Sequence, residues 1–199
     1  MFVQHRFKVL ALSMVAAVAS GGCKKQQAAA PTTSASTTMA SSDDATALLN
    51  LTYTLKGKPA PEIKVTTLDG KPFALSDLKG KVVVLDFWAT WCVPCVQAMP
   101  HLQEMSQRKA LVDAGLVVLA VNLQEEPDRV RKFLDDKKLT FPVVIDDDKT
   151  KIAEAYRVEP VPVTVVIGRD GNIAEAVLGA LPTDLEKIEQ ATAKALAAK

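Results

Sequence analysis

The hydrophobic and polar positions along the chain form two alternating patterns, which predict strands and helices in turn. Residues 82–85 are a continuous apolar run, and with Asp86 and Phe87 after it the pattern is typical of a strand buried on both faces of a sheet. From residue 95 to residue 109, apolar residues recur every three or four positions, which predicts a helix that begins near Cys92. The same reasoning predicts further strands at residues 116–123, 141–145, 163–167 and 173–178, and further helices at residues 127–138, 149–156 and 182–198.

A β-hairpin is predicted ahead of the central strand. Residues 63–68 and 71–75 have strand character, and Asp69-Gly70 between them is a strong signal for a two-residue turn. Residues 76–80 predict a short turn or helix that leads into the central strand. Because strands alternate with helices, the sequence predicts an α/β fold in which helices flank a central mixed sheet.

The composition is that of an ordinary globular protein. Of the 199 residues, 48% are hydrophobic and 24% are charged, and the formal net charge is +1. Residues 1–22 contain two bases and no acids, so the remainder carries 22 bases and 23 acids, or −1. A nearly neutral chain gives no indication of nucleic acid binding, and its length allows one domain plus short extensions.

The first residues have the pattern of an export signal. Arg6 and Lys8 precede an apolar run at residues 9–19, and small residues follow up to Cys23. This is the arrangement of a secretory signal peptide, and the apolar run is too short to cross a membrane comfortably as a helix. We therefore predict a signal peptide at residues 1–22.

Cys23 directly follows small residues, which resembles the bacterial lipobox, in which that cysteine is lipidated and becomes the new N-terminus. Ser20 departs from the resemblance, since the lipobox usually has a branched apolar residue there. The alternative is ordinary cleavage, which discards Cys23 or leaves it as a free thiol. Residues that follow are rich in Ala, Ser and Thr, so we predict a lipid-anchored disordered tether at residues 23–52 and a globular domain at residues 53–199.

Two cysteines follow the central strand, at the point where the predicted helix begins. The positive end of the helix dipole and the unpaired amides of the first turn favour a thiolate at Cys92. Residues three apart on a helix share a face, so Cys92 and Cys95 can close a disulfide without large backbone movement. Pro94 is compatible with the first turn, whose amides have no internal partner. The pair predicts redox chemistry, with Cys92 as the attacking thiol and Cys95 as the resolving thiol.

Zinc binding is the competing interpretation of this cysteine pair. A structural zinc site needs four Cys or His ligands, and the remaining candidates in the chain are Cys23, His5 and His101. Cys23 and His5 belong to the predicted targeting region, so we predict no metal site. The acidic run at residues 146–148 is interpreted as a solvated turn or a helix cap.

The segment DFWATWCVPC at residues 86–95 resembles the active site of the thioredoxin superfamily. Its Trp-Cys-Val-Pro-Cys form is similar to the TlpA-like branch, whose members are tethered extracytoplasmic thiol-disulfide oxidoreductases. The similarity covers residues 57–199, and the helix at 127–138 with the strand at 141–145 resembles the central βα insertion of that branch. The resemblance implies a thioredoxin-like fold with an N-terminal β-hairpin, and an activity that needs no cofactor.

The resemblance also implies which residues surround the cysteines. In this superfamily a cis-proline faces the cysteine pair, and Pro162 matches it by its place just before an apolar strand. Because proline lacks an N–H, the Val161 backbone is free to pair with an extended substrate segment. Trp91 and Pro94, within the motif itself, are also implied to contact substrate. The alternative for Pro162 is an ordinary proline at a strand entry.

Asp86 is the implied acid–base group. TlpA-like proteins commonly carry Asn six residues before the first cysteine and Glu three residues after the second, and this chain has Asp86 and Ala98 at those places. Asp86 instead matches the buried aspartate of thioredoxin. Poor solvation on a central strand should raise its pKa, so that it can take the proton from Cys95. The alternative is a core aspartate with a structural hydrogen bond.

These features predict a protein-disulfide reductase that acts on extracytoplasmic proteins by thiol-disulfide exchange. Val93 and Pro94 place no charge between the cysteines to stabilise the reduced form, which favours a reductant over an oxidant. The resemblance implies electrons from a membrane thiol donor and a setting in cytochrome c maturation. The predicted partners are disulfide-bearing proteins, that donor, and the membrane through the lipid at Cys23, in the bacterial periplasm or at the cell surface.

Two other functions compete with this one. A peroxiredoxin-like peroxide reductase needs a threonine three residues before its reactive cysteine, where this chain has Ala89. A copper-binding assembly module needs more widely spaced cysteines and a well-placed histidine, and the predicted domain contains only His101. A peroxide-consumption assay and a copper titration separate both from disulfide exchange.

Overall fold

The computed structural model describes residues 54–198. Its elements in chain order are β1 (Lys64–Thr66), β2 (Pro72–Ala74), a 3₁₀ helix (Leu75–Leu78), β3 (Val82–Trp88), α1 (Val93–Gln107), α2 (Lys109–Asp113), β4 (Leu116–Leu123), α3 (Pro127–Lys137), β5 (Val143–Asp146), α4 (Ile152–Ala155), β6 (Val163–Ile167), β7 (Ile173–Leu178) and α5 (Pro182–Ala197). Among the helices of this range, none is long and apolar enough to span a membrane. The predicted signal peptide, lipid anchor and tether lie outside the described residues.

The central sheet has five strands in the order β5-β4-β3-β6-β7. β3 pairs in parallel with β4 and antiparallel with β6, so the sheet is mixed, as predicted. Because β3 and β6 run in opposite directions, the end of one meets the start of the other, and Phe87 pairs with Val163. This end of the sheet therefore carries both the residues that follow Trp88 and the residue that precedes Val163.

The side chains of β3 alternate between two apolar layers. Val84 and Trp88 lie in a cluster with residues of α1, α3 and α5. Leu85 and Phe87 lie in a second cluster on the opposite face, with Tyr156 and residues of the N-terminal region. Both faces are covered, and every residue of β3 is buried. This double burial explains the uninterrupted apolar sequence before Asp86.

The predicted hairpin is present, but its turn is longer than two residues. Thr67 N–H donates to Lys71 O at 2.8 Å, and Gly70 N–H donates to Thr67 O at 2.9 Å, so residues 68–70 form the loop. Gly70 has φ +84°, a left-handed conformation that glycine adopts without strain. The two-residue turn predicted at Asp69-Gly70 is therefore wrong, because Gly70 takes the left-handed position after the turn.

The first described residues pair with one edge strand of the sheet. Gly57 N–H donates to Ile173 O at 2.8 Å, and Ile173 N–H donates to Lys58 O at 2.9 Å. The Tyr156 hydroxyl donates to Pro61 O at 2.7 Å and fixes the next stretch of chain. Ile173 pairs with Ile167 at the last residue of β6, so this pairing lies at the end of the sheet opposite to the last residue of β3.

Most predicted element boundaries agree with the structure, and β4 and β7 match residue for residue. The helix predicted at residues 149–156 is shorter, because α4 begins only at Ile152. Asp146 sets this start, since its carboxylate accepts hydrogen bonds from Ile152 N–H at 2.6 Å and Ala153 N–H at 2.9 Å. The sequence predicts a solvated turn or a helix cap for the acidic run, and the run contains both: the buried Asp146 caps α4, whereas Asp147 and Asp148 are exposed in a turn.

Candidate active site

Cys92 lies at the junction between β3 and α1. It is the N-cap residue of α1, and its sulfur accepts a hydrogen bond from Cys95 N–H at 3.3 Å. Pro94 is in the first turn of the helix. Cys92 and Cys95 form a disulfide with their Cα atoms 5.3 Å apart. The predicted strand-to-helix placement and the pairing of the two cysteines are therefore confirmed.

The disulfide is nearly enclosed, whereas its neighbours along the chain are open to solvent. Cys92 is 5% exposed and Cys95 is 1% exposed. Trp91 and Val93, on either side of Cys92, are 64% and 66% exposed. Cys92 is thus slightly more exposed than Cys95, but both residues are buried. Two exposed apolar residues therefore flank the buried Cys92 along the chain.

The peptide bond between Val161 and Pro162 is cis, as the sequence predicts. Pro162 directly precedes β6, and its carbonyl accepts a hydrogen bond from Gly179 N–H at 3.0 Å. That bond holds the residues after β7 beside the proline loop. They include Leu181, whose side chain is 67% exposed. The end of the sheet that carries Cys92 thus also carries a second set of partly exposed apolar residues.

Asp86 is 3% exposed and lies on the face of β3 that α1 covers, since it alternates with Val84 and Trp88. Its Oδ1 accepts a hydrogen bond from the Thr164 hydroxyl at 3.0 Å. Burial raises the pKa of Asp86 to about 7, and the Thr164 hydrogen bond offsets part of that effect. A carboxyl on the cysteine-bearing side of the sheet thus titrates near neutral pH.

A cleft of about 710 Å³ has Trp91, the residue before Cys92, in its wall. Trp91 and Val161, two of the predicted substrate-contacting residues, both line it. Its remaining walls come from the ends of β4 and β5, from α4 and from the loop that leads to Pro162, and comprise Leu123, Gln124, Glu125, Asp146, Ala153, Val158, Glu159 and Pro160. The cleft thus brings Trp91 and Val161, which lie 70 positions apart in the sequence, into one wall.

Glu125 is the residue of this region that the sequence reasoning missed. Its carboxylate accepts hydrogen bonds from Thr90 N–H at 2.6 Å and from Asn122 Nδ2 at 2.8 Å. Arg129 Nε lies 3.2 Å from the same carboxylate. The signal that could have located it is topological, since Thr90 and Glu125 each follow one of two adjacent parallel strands.

The sequence is similar to a known protein family and to several thiol-disulfide oxidoreductases. Residues 56–176 match the profile of the AhpC/TSA family. The chain belongs to the AhpC/TSA family. Thiol-disulfide oxidoreductase ResA of Bacillus cereus is 41% identical over 123 residues, which cover 62% of this chain and 69% of the relative. ResA of Geobacillus kaustophilus is 38% identical over 132 residues, which cover 66% and 74%.

Solved structures of two thiol:disulfide interchange proteins have the same fold as this chain. A protein from Chlorobium tepidum assigned as thiol:disulfide interchange protein DsbE has a TM-score of 0.64 and 35% identity, covering 71% of this chain and 97% of that one. A thioredoxin-family thiol:disulfide interchange protein from Chlorobium tepidum TLS has a TM-score of 0.61 and 26% identity, covering 69% and 95%. This member of the AhpC/TSA family is therefore a thiol-disulfide oxidoreductase with a thioredoxin-like fold.

Proposed function

We propose that this enzyme reduces disulfides in other proteins, with Cys92 as the attacking thiol and Cys95 as the resolving thiol. The observation that carries the proposal is the position of Cys92, whose sulfur caps α1 and accepts the Cys95 amide hydrogen. A helix N-terminus favours the thiolate over the thiol, and the thiolate is the nucleophile in disulfide exchange. Cys95 is the more deeply buried partner, which suits a thiol that reacts only inside the complex.

The exchange proceeds in two balanced steps. The Cys92 thiolate attacks one sulfur of the substrate disulfide, forming a mixed disulfide and releasing the other substrate sulfur as a thiolate, which is protonated. Cys95 then loses its proton to the Asp86 carboxylate and attacks the Cys92 sulfur, which releases the second substrate thiol. Two electrons pass to the substrate, and the Cys92–Cys95 disulfide of the present structure is the oxidised product.

We assign substrate binding to the residues around the disulfide and to the cleft that Trp91 lines. Trp91 and Val161 line the cleft, and Pro94 and Pro162 lie on the two segments that meet at this end of the sheet. Val161 lies two residues before the start of β6, which allows its backbone to pair with an extended substrate segment. We therefore propose Trp91, Pro94, Val161 and Pro162 as the substrate contacts.

Replacing Cys95 by serine is expected to trap a covalent mixed disulfide between Cys92 and a protein substrate. The first step can still occur in this variant, but no thiol remains to resolve it. Non-reducing electrophoresis with mass spectrometry of the linked peptides measures the trapped species and its attachment site. Trapping that survives Cys92→Ser and requires Cys95 would reverse the assignment of the two thiols.

We also propose that the enzyme works outside the cytoplasm, with residues 1–22 as a cleaved signal peptide and residues 23–52 as a tether. Electrons would come from a thiol donor in the membrane, and apocytochrome c is the substrate class that the TlpA-like resemblance supports. The residues before Cys23 carry the proposal, since they combine a basic start, an apolar run and small residues.

The lipid at Cys23 is tested on the mature protein. Mass spectrometry of its N-terminal peptide is expected to show a peptide that begins at Cys23 and carries the mass of a diacylglyceryl group. The matched control is Cys23→Ser, which should be found without that mass and should leave the membrane fraction. An unmodified terminus, or one that begins at another residue, would contradict the lipoprotein assignment.

A further inference from the structure

The turn that carries Cys92 is held at Thr90 by the carboxylate of Glu125, which lies in the loop after β4. Cys92 N–H donates to Ala89 O at 3.1 Å, which closes a turn over residues 89–92. Thr90, in the middle of that turn, uses both its backbone N–H and its hydroxyl to contact Glu125, at 2.6 and 2.5 Å. The two contacts involve both carboxylate oxygens, so they define the orientation of the turn as well as its distance from β4.

Glu125 is itself held firmly. Its side chain is 7% exposed, and it receives a further hydrogen bond from Asn122, which is fully buried at the end of β4. Arg129, one turn further along in α3, contacts both the carboxylate and the Thr90 hydroxyl, the latter at 3.1 Å. Burial acts to raise the pKa of Glu125, but the hydrogen bonds from Thr90 and Asn122 outweigh it and the pKa is lowered. The hydrogen bonds from Thr90 and Asn122 therefore favour the carboxylate form of Glu125 and fix its orientation.

The turn presents the residue that lies between Thr90 and Cys92. Trp91 is 64% exposed and lines the cleft together with Glu125 and Val161. A large exposed side chain on an unsupported turn would sample many positions, and a substrate would have to restrict them on binding. Because Glu125 fixes Thr90, the part of the cleft wall that Trp91 forms is in place before a substrate binds.

We propose that Glu125 is a positioning residue, which holds the turn at residues 89–92 so that Trp91 is pre-arranged for protein substrates. This inference rests on the proposed function, in which Trp91 contacts substrate. It concerns recognition and not the sulfur chemistry, because Glu125 acts on Cys92 only through the turn. We call the two contacts between Glu125 and Thr90 the clamp. Binding of a large substrate that occupies the cleft depends on the clamp, whereas the reaction of a small disulfide that reaches only the Cys92 sulfur does not.

The test compares the full-length protein with Glu125→Gln in two assays. One measures turnover of insulin disulfides with dithiothreitol as electron source, and the other measures the reaction of the reduced protein with dithiobisnitrobenzoate, a small aryl disulfide. Glutamine keeps the size of the side chain but offers one acceptor oxygen where the carboxylate offers two. We expect KM for insulin to rise about five- to twentyfold, with kcat and the reaction with the small disulfide within about twofold.

Three further variants test which contact is responsible. Glu126→Gln changes the exposed neighbouring residue in the same way and is expected to leave both assays unchanged. Thr90→Val removes the hydroxyl side of the clamp and keeps the backbone N–H, so it should raise KM for insulin by a smaller factor. The double variant Thr90→Val/Glu125→Gln should have a KM for insulin within about twofold of that of Glu125→Gln, because both changes act on the same contact between the Thr90 hydroxyl and Glu125.

The results of these assays either support or overturn the positioning role of Glu125. An unchanged KM in folded Glu125→Gln, or equal losses toward insulin and the small disulfide, would overturn it, since a merely structural residue affects both reactions alike. Should Glu125→Gln not fold, Thr90→Val decides alone by the same criterion. If the unmodified protein fails to reduce insulin, the proposed function is refuted together with the inference, whereas normal reduction with an unchanged KM in the variant refutes the inference alone.

Discussion

Replacing Cys92 by serine is expected to lower the rate at which the reduced protein attacks a disulfide-bearing peptide by more than about a thousandfold. A serine hydroxyl is not ionised near neutral pH and cannot form the mixed disulfide, even at the N-cap position that favours the thiolate. Mixing the pre-reduced protein with the peptide, quenching with acid and quantifying the products by mass measures this rate.

Ser106→Ala is a matched control on the same helix. The Ser106 hydroxyl donates to Gln103 O at 2.7 Å, far along α1 from the disulfide, so its removal should change the rate by no more than about twofold. A Cys92→Ser protein that kept about a tenth of the wild-type rate or more would rule out Cys92 as the attacking thiol.

Replacing Asp86 by asparagine is expected to slow disulfide exchange about ten- to a hundredfold and to flatten its pH dependence between about pH 6 and pH 8. Burial raises the pKa of Asp86 to about 7, so the carboxylate fraction, and with it the wild-type rate, should increase with pH across this range. Asparagine has no proton to exchange. Stopped-flow measurement of the exchange rate at several pH values gives the profile.

Thr164→Val provides the control for this profile. The Thr164 hydroxyl donates to Asp86 Oδ1 and favours the carboxylate. Its loss should raise the pKa of Asp86 further, so the midpoint of the profile moves to higher pH while the rate at the upper limit is kept. A folded Asp86→Asn protein with the wild-type rate and profile would leave Asp86 with a structural role alone.

The raised pKa of Asp86 makes the free energy of unfolding depend on pH in a definite direction. The ordinary value is 3.8 and the folded value is about 7, so between these values the folded state binds more protons than the unfolded state. The free energy of unfolding therefore decreases as pH rises from about 4 through 7. At pH 8 the Asp86→Asn variant should exceed the wild type in unfolding free energy by on the order of 2–4 kcal/mol, and urea titrations at pH 5 and pH 8 would show the difference.

The parts of the fold that the sequence predicts well are those set by local pattern. β3 is buried on both faces, so its apolar run is continuous, and α1 begins where the cysteines follow that run. The cis bond at Pro162 and the burial of Asp86 follow from the resemblance to thioredoxin-like proteins, and both are confirmed. For β3 and α1 a short stretch of sequence determines the outcome, whereas the cis bond and the burial of Asp86 depend on distant segments and are predicted from the resemblance alone.

The parts that could not be predicted depend on contacts between distant residues. Thr90 and Glu125 are separated by 35 positions, and nothing in either local sequence indicates that a carboxylate meets a turn. The near burial of Cys92 likewise depends on how other segments close around it. Asp146 belongs to an acidic run typical of a solvated turn, but its position at the end of β5 aims it at the amides of α4. Side-chain partners across the sheet are fixed by topology and not by spacing along the chain.

The pairing of Gly57 and Lys58 with Ile173 fixes where the chain enters the described domain. This pairing lies at one end of the sheet and the disulfide lies at the other, and the length of β3 separates the two ends by about 20 Å. The site where the chain enters the described domain and the reactive sulfurs are therefore at opposite ends of the sheet. A label attached near Gly57 would stay far from the disulfide, and the Cys92 end of the sheet would remain open to a partner protein.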